Sequence, residues 1–293
     1  MAPRPIDTVG GWGFPRHVEN LGKVACEDRI GLPQAMLDLV PPEQRVALVT
    51  GASRGIGRAV ARTFARSGMR VALNARGEKD LQRACRELAP HAEVMAVPGD
   101  LSDPTTTASI LDAVRERFGP VQILINNAGT APSARFDRTG DEMLGEALNL
   151  HVSVPFRILR QAIREMGPGS CAVQIASTAG LRGFAFTTAY TAAKHAMVGL
   201  SRSLAAELGA GPPRIYALCP GFVDTDITRR AADDIASRGR QTPEQALAAL
   251  ASMNNIGRLH TPDEVAAAVT HLVTQQPPGC VYDLDRDPPA FVE

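Results

Sequence analysis

From residue 45 onward, short apolar runs alternate with amphipathic stretches. "RVALVT" (45–50) is apolar almost throughout and too short for a helix. A glycine cluster and the helix-period stretch "RAVARTFARSG" follow it. The rhythm repeats with "RVALNA" and "KDLQRACRELA", then "EVMAVPGD" and "TTTASILDAVRERFG". "VQILINNAG" precedes a long helical stretch from about 141 to 166, and "CAVQIAS" precedes a helix that runs to about 208. "RIYALCPG" comes next, and residues 222–260 read as irregular. The helix "PDEVAAAVTHLVTQ" and a short strand "CVYDL" close the pattern. Unbroken apolar strands of this length are buried on both faces, which is how helices cover a parallel sheet. Right-handed crossovers then predict an α/β, Rossmann-type doubly wound sheet of about seven strands, with its ligand site at the carboxyl ends of the strands.

No composition shift interrupts residues 45–285, so they are read as a single domain, with 286–293 as a C-terminal tail. Residues 1–44 form an N-terminal extension rich in Gly and Pro. In it only "LPQAMLDLV" has the period of a short helix, ended by Pro41 and Pro42. Composition then removes alternatives. Lys plus Arg and Asp plus Glu both number 31, so no basic surface favours nucleic acid or an anionic membrane. There is no apolar run of spanning length, and the first twenty residues lack the apolar core of a signal peptide. Cys26, Cys85, Cys171, Cys219 and Cys280 are scattered, with no C-x-x-C pair. They are read as reduced thiols in a cytoplasmic protein, with no disulfide and no metal site.

"TGASRGIG" (50–57) sits between the first strand and the first helix, with glycines at 51, 55 and 57. Glycine lets the backbone turn sharply and approach a pyrophosphate, while the helix N-terminus offers free N–H groups. In this strand–turn–helix context the cluster predicts dinucleotide binding. At the end of the second strand, "NARGE" has no acid at 74 or 75 to accept bonds from a ribose 2′-hydroxyl, but it has Arg76. Arg54 adds a second guanidinium. Two cations and no carboxylate predict NADP(H) over NAD(H).

"AYTAAK" (189–194) places Tyr190 and Lys194 four residues apart, one turn along a helix face. Alone, that pair is better read as a half-buried tyrosine beside a snorkelling lysine. Together with "TGASRGIG", "GDL" at 99–101, "NNAG" at 126–129, Asn149 in "ALNLHV", "IASTAG" at 175–180 and "PGFVDT" at 220–225, it resembles the short-chain dehydrogenase/reductase family in its classical branch, over about residues 45–275. The resemblance implies hydride transfer between a nicotinamide and a ketone or secondary alcohol, and ketone reduction with NADPH. It makes Tyr190 the general acid/base, its pKa lowered by Lys194 and by the nicotinamide charge. Ser177 would bond the substrate oxygen, and Asn149 would hold a water linking Lys194 to solvent. Gly51, Ser53, Arg54, Gly55, Ile56, Gly57 and Arg76 would hold the cofactor's phosphates and adenosine, with Asp100 and Leu101 flanking the adenine. Asn127, Ala128 and Gly129 would line the nicotinamide side, where Tyr190 and Lys194 hold the ribose. Pro220, Gly221, Val223 and Thr225 would close over the carboxamide and pyrophosphate.

Two features depart from the family. Its members commonly end in a "VDGG"-like segment used in tetramer packing, whereas this chain has "VYDLDRDPPAFVE". The extension is longer than usual, and Met36 would give a start nearer the norm. Met143, Leu144 and Leu148, with Met197, Val198, Leu200 and Leu204, exceed one core-facing stripe per helix, which predicts a homodimer or homotetramer. The substrate pocket is expected from 130–136, 179–187 and 222–256, suited to a medium-sized, partly apolar ketone. A non-catalytic dinucleotide sensor on the same fold is the alternative, opposed by the presence of all four catalytic residue types. A 3-oxoacyl-carrier-protein reductase ranks lower, because "NNAGTAPSARF" and the alanine before Tyr190 do not resemble that subfamily.

Overall fold

A computed structural model describes residues 44–239 and 241–293. The N-terminal extension, Cys26 and the short helix expected at 32–40 lie outside the described residues. The apolar runs form β1 (Val46–Thr50), β2 (Arg70–Ala75), β3 (Val94–Pro98), β4 (Ile123–Asn126), β5 (Cys171–Ile175), β6 (Arg214–Cys219) and β7 (Val281–Asp283). All seven run parallel, in the order β3-β2-β1-β4-β5-β6-β7. The order reverses direction between β1 and β4, which opens a crevice at their carboxyl ends.

Strand alternation feeds two apolar layers. Ala47, Val49, Val71 and Leu73 face α1 (Gly55–Arg66), α2 (Glu78–Leu88) and α9 (Pro262–Gln275), where Phe64, Leu81 and Val269 pack. Val46, Leu48, Ala72 and Leu124 face the other way, onto α3 (Pro104–Phe118), α5 (Val154–Ala162) and the end of α6 (Thr188–Leu208). These strands lie between the two helical layers, as their unbroken apolar runs require.

The structure departs from the expected elements in three places. The helical stretch from 141 is not continuous: α4 (Asp141–Leu148) passes through a π-helical turn, Asn149–Ser153, before α5 begins. The segment read as irregular contains α7 (Asp226–Arg238) and α8 (Pro243–Ser252). α7 buries only the small residues Thr228 and Ala232, so it lacks the large apolar stripe that announces a helix. The tail contributes an eighth strand, β8 (Ala290–Val292), which pairs antiparallel with β7. Three residues are too few to show an alternating pattern. Phe291 makes the contact by packing edge-on to Tyr282, 5.0 Å between ring centres.

Candidate active site

The glycine loop and the loop after β4 are knitted together. Thr50 Oγ1 accepts the N–H groups of Asn127 (2.9 Å) and Ala128 (3.0 Å), and donates to Ile125 O. Asn127 Nδ2 donates in turn to Thr50 O at 2.9 Å and Gly51 O at 3.2 Å. Gly51 and Gly55 take positive φ, +64° and +56°. A Cβ on Gly57 would fall 2.5 Å from both Asn127 Nδ2 and Gly51 O, so only glycine lets α1 start this close. The N-terminus of α1 has no side-chain cap and no acid in its first turn. Its free N–H groups and positive dipole end suit a pyrophosphate.

At the end of β2, Asn74 is buried and donates to Val97 O and Gly99 O, bracing the turn that leads to Asp100 and Leu101. Arg76 is exposed, 4.0 Å from Asp100. Arg54 lies 3.5 Å from Asp226. Both guanidiniums expected at the adenosine end therefore have an acid neighbour in the chain itself. Across the crevice, Pro220 O accepts from Thr178 N, Val223 bridges to His260, and the Thr225 methyl lies 3.4 Å from where a Cβ on Gly55 would be. This last loop is fixed by residues that the sequence did not single out. Asn254 clasps Phe222 through both its N–H and its C=O, and Asp285, wholly buried, takes His260 Nε2 at 3.1 Å and the Asn255 N–H at 3.1 Å. Nothing in the spacing of Asn254, His260 and Asp285 announces that they meet.

Tyr190 stands in the first turn of α6, and Ser177 lies just beyond β5. The Ser177 hydroxyl lies near enough to the Tyr190 phenol to favour its ionised form, and it accepts Ala179 N–H at 3.1 Å. The neighbouring Thr178 is buried. Lys194 is buried too; its Nζ donates to Ile175 O at 2.7 Å and lies 5.6 Å from the centre of the Tyr190 ring. Burial sets both titrations. It pushes the Tyr190 phenol up to about 12, against the influence of the Ser177 hydroxyl, and pulls the Lys194 ammonium down to about 7, with Cys219 opposing. The lowering expected for Tyr190 is thus not a property of the chain alone, which holds the phenol protonated.

Asn149 opens the π-helical turn, but its side chain is spent elsewhere: Nδ2 donates to Ser102 O at 3.4 Å and Oδ1 accepts from Arg157 at 3.3 Å. Among the described residues it has no hydrogen bond to Ser177, Tyr190 or Lys194. His151, two residues on, is the group that reaches Tyr190. Its imidazole is 1% exposed and meets the Tyr190 ring edge-on, 5.4 Å between centres. A lone histidine in a helical stretch gave no signal of this, since on an unbroken helix residues 149 and 151 face different ways. Among the described residues there is no cluster of metal-ligating side chains and no helix long and apolar enough to cross a membrane.

A family model for short chain dehydrogenases matches residues 45–236. The 3-oxoacyl-[acyl-carrier-protein] reductase of Escherichia coli (strain K12) is 34% identical over 236 residues, covering 80% of this chain and 91% of that protein. Among solved structures, an actinorhodin polyketide ketoreductase variant with NADPH superposes with a TM-score of 0.74 at 31% identity, over 80% of this chain and 92% of that one. The L-sorbose reductase of Gluconobacter frateurii, complexed with NADPH and L-sorbose, gives 0.75 at 27% identity, over 82% and 94%.

The buried lysine has a measurable signature. Its pKa in the folded chain, about 7, lies below the ordinary 10.5, so between those values the unfolded chain holds the extra proton. Stability therefore rises with pH in that window. The raised thiols of Cys171 and Cys219 act in the opposite sense above their ordinary value of 9.0, which leaves pH 7–9 as the clean interval. Urea midpoints should climb from pH 7 to 9 in the parent and much less in Lys194→Met. Equal slopes would mean that Lys194 keeps its charge in the fold.

Proposed function

Because the chain belongs to the short-chain dehydrogenase family, and so is a nicotinamide-dependent oxidoreductase working between C=O and CH–OH, we propose that it is an NADP(H)-preferring ketoreductase with Tyr190 as its proton donor. The observation that carries this reading is the grouping of Ser177, Tyr190 and Lys194 at the carboxyl end of the sheet, with the phenol still carrying its proton at neutral pH. A phenol held protonated is an acid in waiting, which suits reduction. The bound dinucleotide supplies hydride to the carbonyl carbon. Ser177 and Tyr190 orient the carbonyl oxygen, and Tyr190 delivers the proton to it. Lys194 keeps a positive charge beside the phenolate that this leaves, and its ammonium is the nearest source of a replacement proton.

A shallow basin of about 490 Å³, lined by Arg135, Phe136, Asp137, Phe186 and Thr188, opens beside the first turn of α6. Its two exposed phenylalanines suit a partly apolar ketone. A second reading, a carrier-bound 3-oxoacyl substrate, gains weight from what the Escherichia coli relative is named for, and this outweighs the two short stretches that had ranked it lower. Tyr190→Phe should cut kcat by about 10²-fold or more while cofactor affinity changes little. Stopped loss of absorbance at the nicotinamide band, with free ketones and 3-oxoacyl thioesters side by side, checks this and separates the two substrates. A Phe variant with parental kcat would leave Tyr190 without its role.

The NADP(H) preference rests on the missing acid at the end of β2 and on Arg54 and Arg76. Both are solvent-exposed and already near an acid, so each adds only about 1 kcal/mol toward a 2′-phosphate. Fluorescence titration should find NADPH bound about tenfold or more tighter than NADH, with the order reversed in Arg76→Asp. Equal affinities in the parent would remove the preference.

The assembly is read as a homodimer. Met197 and Val198 prove to be core residues of α6, Met143 and Leu148 pack against Ala189 and Ala193, and Leu204 packs against the second apolar layer, so the surplus narrows to the exposed Leu144 and the half-buried Leu200, to which the structure adds the exposed Phe156 on α5. β8 already occupies the sheet edge beyond β7, which makes that edge less available to another subunit. Light scattering on a gel-filtration peak should give twice the chain mass; a monomer at micromolar concentration would overturn the dimer.

A further inference from the structure

We infer that His151, and not Asn149, is the fourth member of the catalytic group, a positioning residue whose Nδ1 accepts a hydrogen bond from the solvent hydroxyl that resupplies protons to Lys194. The inference deepens the ketoreductase reading and rests on it. Four observations carry it. First, the imidazole is sealed from bulk solvent and lies edge-on against Tyr190, with Lys194 close enough for its charge to oppose protonation of the ring. Second, its tautomer is fixed. Nε2 lies 2.8 Å from Thr130 O, and a carbonyl oxygen can only accept, so Nε2 carries the hydrogen and Nδ1 keeps a bare lone pair. Third, that Nδ1 is buried and has no hydrogen-bond partner among the described residues. A buried acceptor left unpaired is costly and rarely kept without use.

Fourth, the surrounding backbone makes room for the ring. The π-helical turn at Asn149–Ser153 interrupts the α-helical spacing where His151 stands, and such single turns recur at functional sites. Opposite it is Gly129, where a Cβ would lie 2.6 Å from the imidazole Cε1. Any larger residue in "NNAG" at that position would collide with the ring. Burial and the Lys194 charge hold the imidazole pKa down to about 3, so His151 stays neutral and serves as an acceptor rather than as an acid.

The proton balance is simple. Each reduction moves one proton from Tyr190 to the substrate oxygen. One proton must return from solvent, through the ammonium of Lys194, to the phenolate. His151 gains and loses none; its lone pair holds the last donor of that line in place.

Three substitutions at this position separate the proposal from a structural role. Asparagine places Oδ1 close to where Nδ1 stood, and glutamine places its amide near Nε2, so Gln keeps the bond to Thr130 O but not the Nδ1 acceptor. Phenylalanine keeps the ring contact and neither nitrogen. His151→Asn should retain kcat within about threefold, whereas His151→Gln and His151→Phe should each lose about tenfold or more, with little change in KM for NADPH. The reverse order, Gln active and Asn impaired, would show that His151 only tethers Thr130. A loss in Asn149→Ala equal to that in His151→Gln would return the role to Asn149. Tyr190→Phe belongs in the same assay: if it is active the ketoreductase mechanism itself fails, and if it is inactive while His151→Gln is active only the histidine assignment falls. Should a variant not fold, ¹⁵N spectra of the histidine-labelled parent decide. At pH 7 the His151 Nδ1 resonance should be that of an unprotonated nitrogen, and a proton on Nδ1 would overturn the proposal.

Discussion

One buried ammonium organises this molecule's chemistry. Lys194 lies in the core of the fold with a single short hydrogen bond, 2.7 Å to Ile175 O at the end of β5. A charge taken out of water is costly unless something compensates it, and one carbonyl compensates only in part. The titration falls accordingly, to about 7. Everything placed near this group must answer to it. Burial, with the lysine charge added to it, keeps the imidazole of His151 neutral, and the bond from Lys194 to Ile175 O ties α6 to the end of β5. The lysine ties these elements together and stands beside the phenol ring, so position and electrostatics cannot be tuned separately here.

That arrangement needs a rigid floor, and the parallel sheet supplies it at its carboxyl edge. Three loops meet there, and each is held by side chains acting on backbone rather than by apolar packing. Thr50 and Asn127 bind the glycine loop to the end of β4 with five hydrogen bonds between them and backbone atoms. Asn254, His260 and Asp285 hold the loop after β6 from beneath. Loops carry buried N–H and C=O groups that no ladder satisfies, so polar side chains must do so. The consequence is that the crevice is shaped by the backbone, with glycine where a Cβ would intrude, as at Gly57 and Gly129.

What could be read in advance follows from this division. The strands and the helices that cover them were legible because burial on both faces leaves long apolar runs and strong helical periods. Gly51, Gly55 and Gly57 were legible because turn and approach demand glycine at fixed offsets. Ser177, Tyr190 and Lys194 were legible as a set through resemblance, and the structure brings them together. What escaped lies where the chain's local period breaks or its partners are distant. α7 was missed because it buries only small residues, and β8 because three residues carry no period. The knot of His260 and Asp285 joins positions 25 residues apart, which no window sees.

The most instructive contrast is between Asn149, the residue expected at the site, and His151, the one whose ring meets Tyr190. On an ideal helix the two would be separated by about 200° around the axis, so a reading that puts one into the crevice turns the other away. The π-helical turn begins at Asn149 itself and relaxes that rule over the next residues. Arg157 and the Ser102 carbonyl then claim the asparagine, while the Thr130 carbonyl claims the histidine. Neither claim works without the other. Releasing Asn149 would leave Arg157, whose Nε is already buried without a partner among the described residues, with one fewer acceptor inside the fold. Turning His151 outward would leave a void beside Gly129 and expose the edge of Tyr190 to water. A single inserted turn in one helix therefore decides which of the two side chains meets Tyr190, and it does so through backbone geometry that no local pattern of residue types announces.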